Sequence, residues 1–254
     1  DYIIYYLCFI ETKYINMASF RKEILGQIER IDTGRIFTFR DLSFETEKTA
    51  NVAVLLSEQS RKGVLVRVEK GAYYRPKKSV LGRGKLPVYQ DEQFRYLTEK
   101  LNGYITGAYV YNKMGLTEQV ATTITIATPN PVRRFRFKNL DIECVKAYCM
   151  DYPDESLVPY LRLLDAIKDM KRIPGTTGQD IYNRVKSQYF NGDSLLELEK
   201  IVSLAKSYPP RVRKVVADIL GDIRQTVLQT EMAKTILPTT RFNLDYKTRK
   251  TQLR

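Results

Sequence analysis

With 254 residues the chain is long enough for two domains of ordinary size, and 43% hydrophobic residues with a net charge of +13 describe a folded, soluble, basic protein. It contains no histidine, which excludes Ser-His-Asp and Cys-His nucleophile activation, zinc proteases, classical zinc fingers and histidine phosphorelays. Cys8, Cys144 and Cys149 are too few and too scattered for a disulfide framework or a four-ligand metal site, so a reducing cytoplasm and no cofactor are expected.

The opening apolar run, residues 2–10, is too short to span a bilayer and lacks both a positive flank and a small-residue cleavage pattern. Because Met17 stands immediately before a helical pattern, the functional chain is expected to start there, leaving 1–16 as an upstream or disordered segment. From Phe20 to Ile31 apolar residues fall on one helix face at Phe20, Ile24, Leu25, Ile28 and Ile31. Ser19 reads as the N-cap, and Asp32-Thr33-Gly34 as the stop. A short strand "RIFTF" leads to a brief second helix from Phe39 or Arg40. A third helix, from about Lys48 to Lys62, gathers Val52, Leu55, Leu56 and Gln59 on one side and ends at Gly63. "VLVRVEKGAYYRP" then reads as a hairpin turning at Glu69-Lys70-Gly71. Helix, short helix, helix and hairpin over residues 17–88 make the plan of a winged helix-turn-helix.

Residues 17–90 carry a net charge of +7, residues 91–237 carry +3, and residues 238–254 carry +4. Local excess cation is what draws phosphate. The third helix turns Ala50, Val54, Ser57 and Arg61 away from its apolar side, flanked by Lys48, Thr49, Asn51, Ala53 and Lys62. Asn pairs with an adenine edge in the major groove, small apolar groups meet thymine methyls, and Lys and Arg neutralise phosphates. Lys70 at the hairpin tip, with Arg75, Lys77 and Lys78 beyond it, is placed to hold an adjacent backbone or minor groove. Against this, Glu47 and Glu58 lie near the same face and repel phosphate. A winged helix serving only as a protein-interaction module is the alternative.

Residues 89–237 read as a small α+β domain with a helical C-terminal part. A polar helix near 91–101 precedes a Tyr-rich segment, a β-branched strand, and the strands "VRRFRFKN" and "LDIECVKAY". Four helical candidates follow to about residue 234, the last of them "PRVRKVVADILGDIRQTVLQTEM". Asp165 and Asp169, one helical turn apart, can share a cation, but Lys168 and Lys171 among them read equally as a salt-laced helix surface. "PGTTGQD" lacks the GK[ST] ending of a phosphate loop and reads as a helix start. One face of "VRRFRFK" presents Arg134, Arg136 and Lys138 to a phosphate backbone or to solvent. Cys144 and Cys149 read as packed small hydrophobes. No enzyme centre emerges. Residues 238–254 follow a helix-ending proline and read as a mobile basic arm.

The succession "LSEQSRKGVLVRVEKGAYY", "GYITGAYVYNKMGLTEQV" with "TITIAT", "LLDAIKDMKRIPG" and "YPPRVRKVVADIL" resembles the AbiEi-like antitoxin and transcriptional regulator family of bacteria, over roughly residues 20–222. The resemblance implies a cytoplasmic type IV antitoxin that represses its own operon by binding inverted repeats in double-stranded DNA, two copies to an operator. It further implies pairing with a nucleotidyltransferase-like toxin without a stable complex, and antitoxicity associated with the second domain. It also implies DNA contacts by Lys48, Asn51, Ser57, Arg61 and Lys70. Ala53, Val54 and Glu58 stand where Arg or Lys would be unsurprising, which lowers the expected affinity. Two other functions remain open: an adaptor that neutralises a toxin by contact through residues 104–111, and a metal-dependent nucleic-acid enzyme using Asp165 and Asp169.

Overall fold

A computed structural model describes residues 17–79, 84–149, 154–192 and 194–248. The expected upstream segment 1–16, with Cys8, lies outside the described residues. The protein is a mixed α+β chain that divides into two compact units, residues 1–97 and 98–254.

In the first unit, helix α1 runs over residues 17–30, so Ser19 sits inside the helix rather than capping it. Strand β1 (Ile36–Thr38) follows, then a single 3-10 turn at Phe39–Asp41, shorter than the brief helix expected there. Thr38 fixes that turn by a reciprocal cap: its hydroxyl accepts from Arg40 N, while Asp41 accepts from Thr38 N at 2.7 Å. A second 3-10 turn, Thr46–Lys48, feeds helix α2 (Thr49–Arg61). Strands β2 (Val66–Glu69) and β3 (Ala72–Tyr74) complete an antiparallel sheet of order β1-β3-β2, with Ile36 opposite Tyr74 and Val66 also opposite Tyr74. The core gathers Ile24 and Ile28 of α1, Phe37 of β1, Val52, Leu55 and Leu56 of α2, and Tyr73 of β3. Helix α3 (Gln90–Leu101) lends Glu92 and Arg95 to the open edge of β1. Ile36 N donates to Glu92 Oε1 at 2.6 Å, and Arg95 Nη2 donates to Ile36 O at 2.9 Å. Side chains thus cover an edge that would otherwise offer unpaired backbone groups.

The second unit holds a four-stranded sheet of order β4-β5-β7-β6, built from Tyr104–Thr106, Thr123–Thr128, Leu140–Lys146 and Arg134–Phe137. β5 runs parallel to β7, and the other pairs are antiparallel. A short helix α4 (Ala108–Lys113) follows β4. Helices α5 (Val158–Asp169), α6 (Gly178–Tyr189), α7 (Leu198–Ala205), α8 (Pro210–Asp222) and α9 (Thr226–Lys234) form the helical part. α6 opens on a capping box between Thr177 and Asp180, so "PGTTGQD" is a helix start.

The last helical candidate of the sequence is two helices. The chain closes α8 with a Schellman motif: Arg224 adopts φ 64°, its N–H donates to Gly221 O, and Gln225 N donates to Leu220 O at 2.9 Å. Gly221 leaves room for Gln229 of the returning α9, whose amide nitrogen lies 2.6 Å from where a Cβ would stand. Within the mobile arm expected from composition, residues 245–247 contact the helical part, with Tyr246 buried on Tyr182 of α6 and bonded to Asp218 of α8. The aromatic ring outweighs the polar composition around it.

Candidate nucleic-acid interface

α2 exists because Val52, Leu55, Leu56 and Gln59 recur on one side and are buried there. The opposite side is therefore free to do something else. Thr49, Ala50, Asn51, Val54, Ser57 and Arg61 are exposed, Val54 by 54%. The Thr49 hydroxyl donates to Thr46 O at 2.6 Å, which secures the entry to the helix. The first turn of α2 has no side-chain cap and no acidic residue of its own, while the 3-10 turn that feeds it carries the exposed Glu47.

Cations collect at the far end. Gly63 adopts φ 74° and closes α2 through Gly63 N to Ser60 O and Val64 N to Gln59 O, both at 3.0 Å. Lys85 reaches this end: its Nζ lies 2.6 Å from where a Gly63 Cβ would stand. Lys85 belongs to a small ribbon in which it sits directly opposite Lys78, held by Leu86 N to Lys77 O at 2.9 Å and Ser79 N to Gly84 O at 3.0 Å. Two lysines opposite each other repel. A bound polyanion would relieve that repulsion. Lys85 is a residue that the sequence reading missed; the basic run "KKSVLGRGK" was its signal. At the hairpin tip, Lys70 is exposed, and Gly71 packs its turn against Phe39, with a Cβ position 3.3 Å from the ring. Arg40, next to Phe39 in sequence, is also exposed. Arg61, Lys62, Lys70, Lys78 and Lys85 make no ion pair among the described residues.

Two residues expected in the site are otherwise engaged. Arg75 donates from Nη1 to Glu29 O at 2.6 Å and to Ile31 O at 2.8 Å, capping the C-terminal end of α1. Lys48 pairs with Glu45 at 2.8 Å and lies 5.1 Å over the Phe20 ring. Lys77 is exposed, with its ammonium 5.6 Å over Tyr89. Arg75→Ala is therefore expected to cost about 1–3 kcal/mol of stability, from two lost bonds of a charged donor. The salt dependence of any DNA binding should stay unchanged, and thermal melting beside a binding titration checks both.

Of the two acids near this face, Glu47 is exposed, while Glu58 is held by Arg21 of α1 at 2.6 Å. The hydrogen bond from Arg21 keeps the Glu58 carboxyl below the ordinary glutamate range, so its charge is answered within the protein. A depressed folded pKa means that the pair stabilises above the unfolded value and that this contribution is lost as pH falls through the folded one. The melting temperatures of the wild type and Glu58→Gln are thus expected to differ at neutral pH and to converge on acidification.

In the second unit the carboxylates have structural partners. Asp165, 1% exposed, accepts from Tyr104 and Thr106 of β4 at 2.9 Å each, from Tyr208 at 3.3 Å and from Lys168 at 3.2 Å. Burial raises its pKa against the pull of Lys168 and the hydroxyls. Burial and the neighbouring Asp165 charge push Tyr104 and Tyr208 far up, so both remain donors. Lys168 also approaches Asp169 at 3.7 Å, and Tyr111 donates to Asp169 at 2.8 Å. Among the described residues no group of three potential ligands is placed to hold a metal ion. Arg134 pairs with Glu143 at 2.5 Å and Arg136 with Asp141 at 3.8 Å, so that strand face is laced with opposite charge. Cys144 is buried, and burial pushes its thiol up, leaving little thiolate to react. No helix among the described residues is long and apolar enough to cross a membrane.

No protein-family model and no curated protein matches the chain. Among solved structures, the RV2827C protein from Mycobacterium tuberculosis is similar at 12% identity with a TM-score of 0.46, over 85% of this chain and 81% of that one.

Proposed function

We propose that the chain is a cytoplasmic DNA-binding autorepressor, the antitoxin of a bacterial type IV toxin–antitoxin system, and that residues 17–88 act as a winged helix-turn-helix. α2 is the reading helix and the β2–β3 hairpin the wing. The observation that carries this is the outer face of α2, where Asn51, Ser57 and Val54 have no structural task. Cations without ion pairs stand at the helix end and at the hairpin tip. Asn51 and the small apolar groups would read base edges, and the cations would fix register on phosphates. Inverted repeats would seat two copies on one operator. The partner gene would encode a nucleotidyltransferase-like toxin, countered by the second unit without a stable complex.

The test is an electrophoretic shift on the chain's own promoter at two salt concentrations. With about six cations on phosphates, the binding constant should fall roughly as the fifth power of salt, and Arg61→Ala with Lys70→Ala should reduce that exponent by about two. No retarded band, or an unchanged exponent in the double variant, overturns the proposal.

A further inference from the structure

Beyond α9 the chain passes through residues 235–244 without helix or strand, then binds back onto its own helical part. Three consecutive residues do the binding, each by different chemistry. Tyr246, 7% exposed, stacks on Tyr182 of α6 with centroids 4.3 Å apart and planes 10° apart, and its hydroxyl donates to Asp218 Oδ2 of α8 at 2.9 Å. Asp245 lies between two cations, Oδ1 at 2.6 Å from Lys171 Nζ and Oδ2 at 3.3 Å from Arg211 Nη2. The main chain of Lys247 is read by one amide: its N–H donates to Gln179 Oε1 at 2.6 Å, and Gln179 Nε2 donates to its carbonyl at 3.5 Å. The floor beneath Asp245 is Gly178, where a Cβ would stand 2.8 Å from the Asp245 Cβ.

An acid held by two bases, an aromatic ring in a stack and a backbone amide matched by a side-chain amide are how a surface recognises a short peptide. We propose that the surface formed by α6, α8 and Lys171 is a peptide-recognition site for an Asp-Tyr segment and the main chain of the residue after it, filled within one copy by residues 245–247 and able to take the same segment from a second copy. A ligand tethered to its own site acts at an effective concentration of about millimolar, so the segment of another copy enters only where the tethered one is missing or the copies are held together. Exchange of an identical element is a low-cost route to a dimer. This inference does not depend on DNA binding.

Complementary full-length variants test it. Tyr246→Ala keeps the site but lacks its ligand; Gly178→Leu keeps the ligand but blocks the site. Sedimentation should show each variant alone as a monomer and the equimolar mixture as a heterodimer. A labelled peptide of residues 241–248 should bind Tyr246→Ala at least tenfold more tightly than wild type, and should not bind Gly178→Leu. If Tyr246→Ala proves unstable, Asp245→Lys, repelled by Lys171 and Arg211, releases the segment with the ring intact. Hydrogen exchange at the Lys247 amide should then be slow in wild type and fast in Asp245→Lys, with α6 and α8 still protected. A mixture that stays monomeric together with a peptide that binds neither folded variant, or an unprotected Lys247 amide in wild type, overturns the proposal.

Discussion

Replacing Asp165 by alanine is expected to destabilise the second unit by about 3–5 kcal/mol, the range for breaking a buried charged pair, and so to lower Tm by roughly 6–20 °C for a unit of this size. Four donors converge on this carboxylate, three hydroxyls and the Lys168 ammonium. Alanine removes the acceptor of Tyr104 and Thr106, leaves Tyr208 only the Leu161 carbonyl at 3.3 Å, and leaves Lys168, whose side chain is mostly covered, without its closer partner. Each orphaned buried donor retains its desolvation cost. Asp165→Asn should be milder, because one amide oxygen can still accept from Tyr104 and Thr106. Thermal unfolding of both variants checks the order. An Asp165→Ala protein that melts like wild type yet loses activity would instead mark a chemical role for this carboxylate.

Asn51→Ala is expected to weaken binding to the natural operator by about 1–3 kcal/mol, roughly 5- to 150-fold, while leaving binding to a random duplex nearly unchanged. Asn51 is exposed and makes no structural hydrogen bond among the described residues, so fold stability should change by no more than about 0.5 kcal/mol. This separates it from Arg61 and Lys70, whose loss should weaken every duplex alike. The measurement is the ratio of the two affinities at one salt concentration. A ratio unchanged by Asn51→Ala would remove α2 as the reading element and leave only backbone attraction.

Much of the first unit was legible because its signals are local. The spacing of Val52, Leu55, Leu56 and Gln59 defines α2, and a glycine at position 63 marks its end. The same capping geometry at Arg224 carries no such mark. Arginine rarely adopts positive φ, so the break between α8 and α9 could not be read from residue type. Long-range partners were equally hidden. Arg75 reads as one more wing cation until the end of α1 is seen to lie against it, and Glu58 reads as a repulsive charge until Arg21 is seen beside it. The place of residues 245–247 is hidden for the same reason: a single tyrosine anchors them, and its ring partner lies 64 residues away in the chain.

The parallel pairing of β5 with β7 gives β5 a partner that follows it in the chain. β6 and β7 meet across Phe137 and Leu140, with Lys138 at φ 56° in the turn, so this hairpin can close on its own within about 1–10 μs. β5 pairs with β7 on the side that β6 leaves open, with Thr123 to Thr128 aligned to Asp141 to Lys146. During synthesis, β5 therefore leaves the ribosome with its neighbour on that side still to come. Synthesis at about 5–20 residues per second is far slower than closure of this hairpin, so translation sets how long that edge of β5 stays open.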